Sequence, residues 1–314
     1  MIPDTMRRAM KKLALLFLGF LTACQKPGDL PVTRAELIGA NGDWGNTEGP
    51  AIDSKGNLYF TSRGNYKGII TWNEKKGFEQ WLAVATKEGP GGLYFDDADN
   101  LYVTATGEQQ LLKIAPDKKI TVLAENFDVQ KGVSKGPNDV VIAKNGTIYF
   151  TEPNGYDGTA PKGTIYRIDS AGKVSVFSQE ITGPNGLILS ADQQTLYVSH
   201  NVAKDTSEIV KWKLNSDGTA GPLVQHASIE GCQADGMDIN QDGDLWLTCY
   251  SHGTAYLIGA DGKAKEKVLT AQPAITNCKF GRGANRNWLY ISSSDMDRVT
   301  GYVYRARLSV GGLR

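Results

Sequence analysis

A short run of apolar, aromatic and apolar residues recurs six times along the 314-residue chain. Its copies are Leu58-Tyr59-Phe60-Thr61, Leu101-Tyr102-Val103-Thr104, Ile148-Tyr149-Phe150-Thr151, Leu196-Tyr197-Val198-Ser199, Leu245-Trp246-Leu247-Thr248 and Leu289-Tyr290-Ile291-Ser292. A marker column precedes the runs at Pro50, Pro90, Pro137 and Pro184 and continues at Ala234 and Thr276, with spacings of 40, 47, 47, 50 and 42 residues. A period in the forties, with a polar or acidic turn before each run, is that of propeller blades. β-branched and aromatic runs separated by Gly, Asn and Asp turns form antiparallel strands. A radial array leaves only short, protected edges, so many strands coexist without edge pairing. The expectation is an all-β, six-bladed propeller of four-stranded antiparallel blades over residues 36–314; a β-sandwich or a two-domain β protein is the competing architecture. The recurring aromatics Tyr59, Tyr102, Tyr149, Tyr197, Trp246 and Tyr290 then belong to the core between blades rather than to a cofactor site.

The first 23 residues stand outside the repeat. Arg7, Arg8, Lys11 and Lys12 precede an apolar run from Leu13 to Ala23, the layout of a secretory signal. That run is about half the ~20 residues needed to span a bilayer, which disfavours a transmembrane anchor. It ends Leu21-Thr22-Ala23-Cys24, resembling a bacterial lipoprotein signal in which Cys24 is lipidated and becomes the new N-terminus. Acylated Cys24 and a short polar leash, together residues 24–35, would tether the domain to a membrane of the cell envelope, on its periplasmic side. Gln25 in place of Asp favours the outer membrane in a Gram-negative cell. The whole chain has a formal net charge of zero, and the leader holds four positive residues against Asp4, so the remainder lies near −3. No basic stripe is present, which argues against a nucleic-acid partner. Cys232, Cys249 and Cys278 match no zinc spacing. An odd number admits one disulfide and one free thiol, but burial as small hydrophobes is the more common outcome.

The same place in successive units carries an oxygen: Glu48, Asn138, Asn185 and Asp235. Two carboxylates and two amide carbonyls gathered by a closed repeat suit a hard divalent cation. Asn277 takes this position in the last unit, and Gly91 takes it in the second, opening space there. Glu48 and Asp235 neutralise a dication. Calcium takes about 6–8 oxygens, so four protein ligands leave positions for water or substrate. His200, His226 and His252 all lie outside the column, against zinc. The bland alternative is that each of the four caps a strand start, since Asn and Asp favour turns. Asp235 would act as general base or as nucleophile. Asp238 is a candidate alternate base, on the opposite strand face if the strand is regular. Loops after the recurring runs carry Arg63 and Tyr66, Glu152 and Tyr156, His200 and Asn201, and Tyr250 and His252. They are read as the substrate wall, with His200 and His252 as proton-transfer helpers.

Glu48-Gly49-Pro50, Gly136-Pro137-Asn138-Asp139, Gly183-Pro184-Asn185-Gly186-Leu187 and Ala234-Asp235-Gly236-Met237-Asp238 together make the chain resemble the gluconolactonase/senescence-marker-protein/luciferin-regenerating-enzyme-like family, which includes diisopropyl fluorophosphatase. The resemblance runs over essentially everything after the leader. It implies a six-bladed propeller with a catalytic divalent ion, usually calcium, in the central tunnel, held by Glu48, Asn138, Asn185 and Asp235. It also implies hydrolysis of lactones or, in some members, phosphoester-type bonds. The expected activity is a calcium-dependent lactonase, monomeric, acting on a sugar lactone or similar small cyclic ester. The alternatives are an organophosphate hydrolase using the same site, and a non-catalytic propeller lipoprotein that binds a protein or glycan.

Overall fold

A computed structural model of the chain describes residues 30–84, 86–125 and 136–314. Strands β1 (Val32–Arg34) and β2 (Glu36–Asn41) come first in the chain and last in the architecture. Six blades follow in sequence order. The first is β3–β6 (Thr47–Ile52, Leu58–Arg63, Lys67–Asn73, Gly77–Ala83) and the second β7–β10 (Leu93–Phe95, Leu101–Ala105, Gln110–Ile114, Ile120–Glu125). The third is β11–β14 (Val140–Ile142, Ile148–Glu152, Thr164–Ile168, Val174–Ser178) and the fourth β15–β18 (Pro184–Leu189, Thr195–Ala203, Thr206–Leu214, Ala220–Glu230). The fifth is β19–β22 (Gln233–Ile239, Leu245–Tyr250, Thr254–Ile258, Ala264–Leu269). The sixth takes β23–β25 (Ala274–Phe280, Trp288–Ser294, Gly301–Arg307) and completes itself with β2, which pairs antiparallel with β25. Strands from both ends of the chain thus share one sheet and close the ring. β1 lies within the stretch read as a leash; it adds a fifth strand to the fifth blade, parallel to β22. The leader, Cys24 and the start of the leash lie outside the described residues.

Each recurring run is the second strand of its blade. Its alternation puts one side chain of each pair on either face of the sheet, and both faces are covered by neighbouring blades. Tyr149 donates from its hydroxyl to Gly218 O at 2.8 Å, from the third blade to the fourth. The Tyr59 and Phe95 rings meet at 4.9 Å, and Trp72 meets Tyr290 at 6.1 Å across the first and last blades. The fully buried Phe60 and Phe150 each contribute about 1.5–3 kcal/mol by leaving water. The polar turns before the runs fold on themselves: Asp53 accepts from the Lys55 and Asn57 amides, and Asp96 from those of Ala98 and Asn100.

In four of the six runs the last residue positions the centre of the ring. Thr104 donates from its hydroxyl to Asn138 O at 2.7 Å, Thr151 to Asn185 O at 2.7 Å, Ser199 to Asp235 O at 2.7 Å and Thr248 to Thr276 O at 2.9 Å. Each stitch runs from one blade to the innermost strand of the next. The inner strands are bulged where they carry the oxygen column, between Glu48 and Ala51, Pro184 and Leu187, Ala234 and Met237, and Ile275 and Asn277. A bulge re-aims side chains, here toward the ring axis. Close approach of the inner strands needs glycine: a Cβ on Gly236 would lie 1.9 Å from Asn277 Cγ.

The three cysteines do not stay as separate buried thiols. Cys232 and Cys249 form a disulfide with Cα atoms 5.0 Å apart, and Cys278 is a buried free thiol. The pairing follows from hairpin register, since Cys249 lies opposite Ala234 on the antiparallel partner strand. A separation of 17 residues in sequence carries no such information.

Candidate metal and substrate site

At the end of the tunnel where the inner strands begin lies a cavity of about 120 Å³, and Glu48, Asn138, Asn185 and Asp235 all line it. The two amides are held the same way round. Asn138 Nδ2 donates to the Tyr156 hydroxyl at 2.8 Å, and Asn185 Nδ2 to Ala234 O at 3.3 Å. With each N–H side engaged, the amide oxygens are left over. Asn185 Oδ1 is buried and, among the described residues, has no hydrogen-bond partner. An orphaned buried acceptor costs about 1–3 kcal/mol unless something satisfies it.

The carboxylates show the complementary imbalance. Burial raises the proton affinity of Glu48 above its ordinary value, despite the Arg63 cation and the Gly49 N–H, which donates to Oε2 at 2.7 Å. Asp235 is pushed up well above the usual range, first by burial and then by Glu48 and Asp139; a hydrogen bond from Asn185 and the charge of Arg63 counter this only in part. Asp139 is driven to about 7 by burial and by Glu48. Three carboxylates, Glu48 and Asp139 buried and Asp235 partly so, repel one another beside the unsatisfied Asn185 Oδ1. Among the described residues no three His, Cys, Asp or Glu side chains cluster as metal ligands, so any donor set here is a mixed carboxylate–amide one. Such hard oxygens fit a divalent cation of the calcium type.

Several expected residues take other roles. Gly91 does not open a space: a Cβ there would lie 2.9 Å from an Arg63 terminal nitrogen, so the guanidinium fills that side. Arg63 is fixed by donating to Pro90 O at 2.8 Å and Thr106 Oγ1 at 3.2 Å, and it lines the cavity. Asn277 is one residue out of the column. Thr276 O receives the inter-blade stitch and Thr276 lines the cavity, whereas Asn277 points deeper and donates to Glu48 Oε2 at 3.3 Å and Asp139 Oδ2 at 3.0 Å. Its counterpart is therefore Asp139, and each of the two accepts from the backbone N–H of the next residue. The shorter bulge at Ile275/Asn277 causes the slip.

Asn201 lines the cavity but its amide is committed to the main chain of Ala234, accepting from the N–H at 2.8 Å and donating to the carbonyl at 3.2 Å. It positions Asp235. Tyr156 and Tyr250 line the cavity, and burial and Asp235 raise the proton affinity of the Tyr156 phenolate. Asp238 reaches the other end of the tunnel, where Lys279 Nζ and the Phe280 N–H bind its two oxygens at 2.8 Å each. His200 is buried within the fourth blade, its Nδ1 3.2 Å from Thr182 O and its Nε2 3.5 Å from Glu208; burial lowers it to about 4. His252 is exposed and turned back on Tyr250 O. Neither histidine lines the cavity, nor do the buried Glu152 and the partly buried Tyr66.

Two charged residues, one lining the cavity and one just below it, were not anticipated. Asp139 directly follows Asn138 in the Gly-Pro-Asn-Asp motif, a visible signal. Arg298 lines the cavity and donates from Nε and a terminal nitrogen to the Tyr250 hydroxyl, both at 3.2 Å. It sits in the loop after the sixth recurring run, which places it by the same rule as Arg63 and Tyr250.

Comparison with known proteins agrees with this architecture. Residues 46–295 match the SMP-30/Gluconolactonase/LRE-like region. A gluconolactonase of Zymomonas mobilis subsp. mobilis is 25% identical over 292 residues, covering 83% of this chain and 79% of that protein. The structure of a gluconolactonase from Xanthomonas campestris superposes with a TM-score of 0.69 at 23% identity, covering 84% of this chain and 87% of that one. A calcium-binding protein, regucalcin, from Agrobacterium tumefaciens superposes with a TM-score of 0.73 at 16% identity, covering 90% and 97%. At these identities the structural likenesses speak for the fold.

Proposed function

The chain belongs to the SMP-30/gluconolactonase/LRE-like family, and on that footing we propose that it is a calcium-dependent lactonase opening a sugar lactone or similar small cyclic ester. The observation that carries the reading is the donor set itself: Glu48 and Asp235 with raised proton affinities, beside the unsatisfied Oδ1 of Asn185 in one cavity. Glu48, Asn138, Asn185 and Asp235 would hold the ion. Bound there, calcium would polarise the lactone carbonyl and stabilise the negative charge that develops on its oxygen.

The protein's own groups would do the rest. Asp235 would take a proton from the attacking water, whose oxygen adds to the carbonyl carbon. The ring C–O bond then breaks, and the proton passes to the departing ring oxygen, giving a hydroxy acid. Arg63, locked by its two hydrogen bonds, keeps a positive charge beside the carboxylates. Arg298 and Tyr250 at the cavity wall would hold substrate hydroxyls. Asn201 and the Ser199 stitch keep the Ala234–Asp235 peptide in place. The proposal also places the protein on an envelope surface through a lipid on Cys24; the Cys232–Cys249 disulfide supports an oxidising compartment.

A pH-stat panel of aldonolactones tests the activity, run with the protein and with Asp235→Asn. Acid release that disappears in the variant is the expected result. A folded, calcium-loaded protein that hydrolyses none of the panel would overturn the proposal.

A further inference from the structure

The tunnel has a second mouth, formed where the inner strands end, and its chemistry is the opposite of the first. A cavity of about 150 Å³ there is lined by Lys144, Lys279, Arg282 and Arg314, with Asp238 as the carboxylate among them. Asp238 is already spent: one oxygen takes Lys279 Nζ and the other the Phe280 N–H. Arg314 donates to Phe95 O at 3.0 Å and to the exposed Asp97 at 2.7 Å. Among the described residues the Arg282 guanidinium has no hydrogen-bond partner; burial and then the charge of Arg314 disfavour its own charge, and Asp97 and Asp99 offset this only in part. Lys279 and Arg314 both lie over the Tyr94 ring, at 5.3 and 5.2 Å from its centroid, which fixes two of the cations relative to each other.

With Lys279 paired to Asp238 and Arg314 to Asp97, the concave site still carries the charges of Lys144 and Arg282 in excess. Guanidinium forks and a compact ammonium are the groups that recognise tetrahedral oxyanions, through short charge-assisted hydrogen bonds. A singly charged carboxylate would balance the excess less well than a dianion. We propose that this second mouth is a binding site for a phosphate group, as the free ion or as a small phosphate monoester, held by Arg282, Lys144, Arg314 and Lys279. The site is separate from the carboxylate cavity: the tunnel between them narrows around Asp139, Asn277 and Lys279. The inference does not depend on the lactonase reading.

The test is calorimetric titration of the protein with inorganic phosphate in buffer freed of divalent cations, alongside a hexose phosphate, acetate, and sodium chloride at matched ionic strength. Saturable phosphate binding with a rise in Tm is expected, because a ligand that binds only the folded state stabilises it. Acetate should bind more weakly. Phosphate affinity should fall about tenfold or more in Arg282→Gln, the loss of one charge-assisted contact. It should be unchanged in Asp235→Asn at the other mouth. Arg282→Gln should melt no lower than the parent in phosphate-free buffer, since it removes a like-charge contact. Lys144→Gln, at an exposed position, gives a second reading should Arg282→Gln not fold. Tighter binding of the hexose phosphate than of inorganic phosphate would identify the monoester as the ligand. No saturable binding beyond the chloride control would overturn the proposal, as would binding lost in Asp235→Asn but kept in both cation variants.

Discussion

Asn201→Leu separates a residue that touches substrate from one that holds the site's main chain. Asn201 is fully buried, and its amide makes three hydrogen bonds: from the Ala234 N–H at 2.8 Å, from Ser207 Oγ at 2.6 Å, and to Ala234 O at 3.2 Å. Leucine has nearly the same volume and makes none of them. No partner is orphaned, because the Ala234 N–H keeps Ser207 Oγ at 2.7 Å and Ala234 O keeps Asn185 Nδ2 at 3.3 Å. The loss is therefore that of three net hydrogen bonds, about 3 kcal/mol in all. In a domain of this size that corresponds to roughly 6–12 °C in Tm. Loosening the peptide before Asp235 should also weaken calcium binding by about tenfold, or 1.4 kcal/mol. Differential scanning calorimetry and a calcium titration read both effects. An unchanged Tm and calcium affinity with a raised KM would refute the clamp and make Asn201 a substrate contact.

Other perturbations follow from the same geometry. Replacing Cys232 and Cys249 by Ser releases a loop of 17 residues' separation and should lower stability by about 3 kcal/mol; an unchanged Tm would show that the bond does not constrain the unfolded chain. His200 titrates at about 4 when folded and near 6.5 otherwise, so between these values the unfolded chain binds more protons. Stability should therefore fall as pH drops from 6.5 to 4, by up to about 3 kcal/mol, and His200→Gln should flatten that slope in urea titrations; an equally steep slope would discount the histidine. Asp235→Asn relieves repulsion with Glu48 and Asp139, so it should raise Tm in calcium-free buffer while lowering calcium affinity at least about tenfold. A fall in the calcium-free Tm would contradict that electrostatic picture.

The repeat carried most of the architecture. The six aromatic runs reappear as the six second strands, because an alternating strand buried on both faces must write that burial into its sequence. The oxygen column was legible for the same reason: Glu48, Asn138, Asn185 and Asp235 sit at equivalent starts of the inner strands and meet in one cavity. What the pattern could not show were relations set by register rather than by residue type. The closure of the ring by β2, the Cys232–Cys249 pairing and the one-residue slip that turns Asn277 toward Asp139 all depend on which residues face each other across strands. Polar character in a loop was a poor guide to direction. Arg63 ends β4 and reaches the space beside Gly91, whereas His200 lies within β16, opposite Glu208, and is buried inside its blade. Asp238 was readable as distinct from Asp235, but its partner Lys279 comes from the neighbouring inner strand, and so does the change of mouth.

The most direct test of the account is turnover of an aldonolactone by the protein before chelation, after chelation, and after calcium is restored, with calcium binding measured on the same sample. Turnover should vanish with the ion and return with it, and the calcium concentration giving half the rate should match the dissociation constant. Undiminished turnover by a chelated protein that is still folded and free of bound metal would contradict the claim that Glu48, Asn138, Asn185 and Asp235 form a catalytic calcium site.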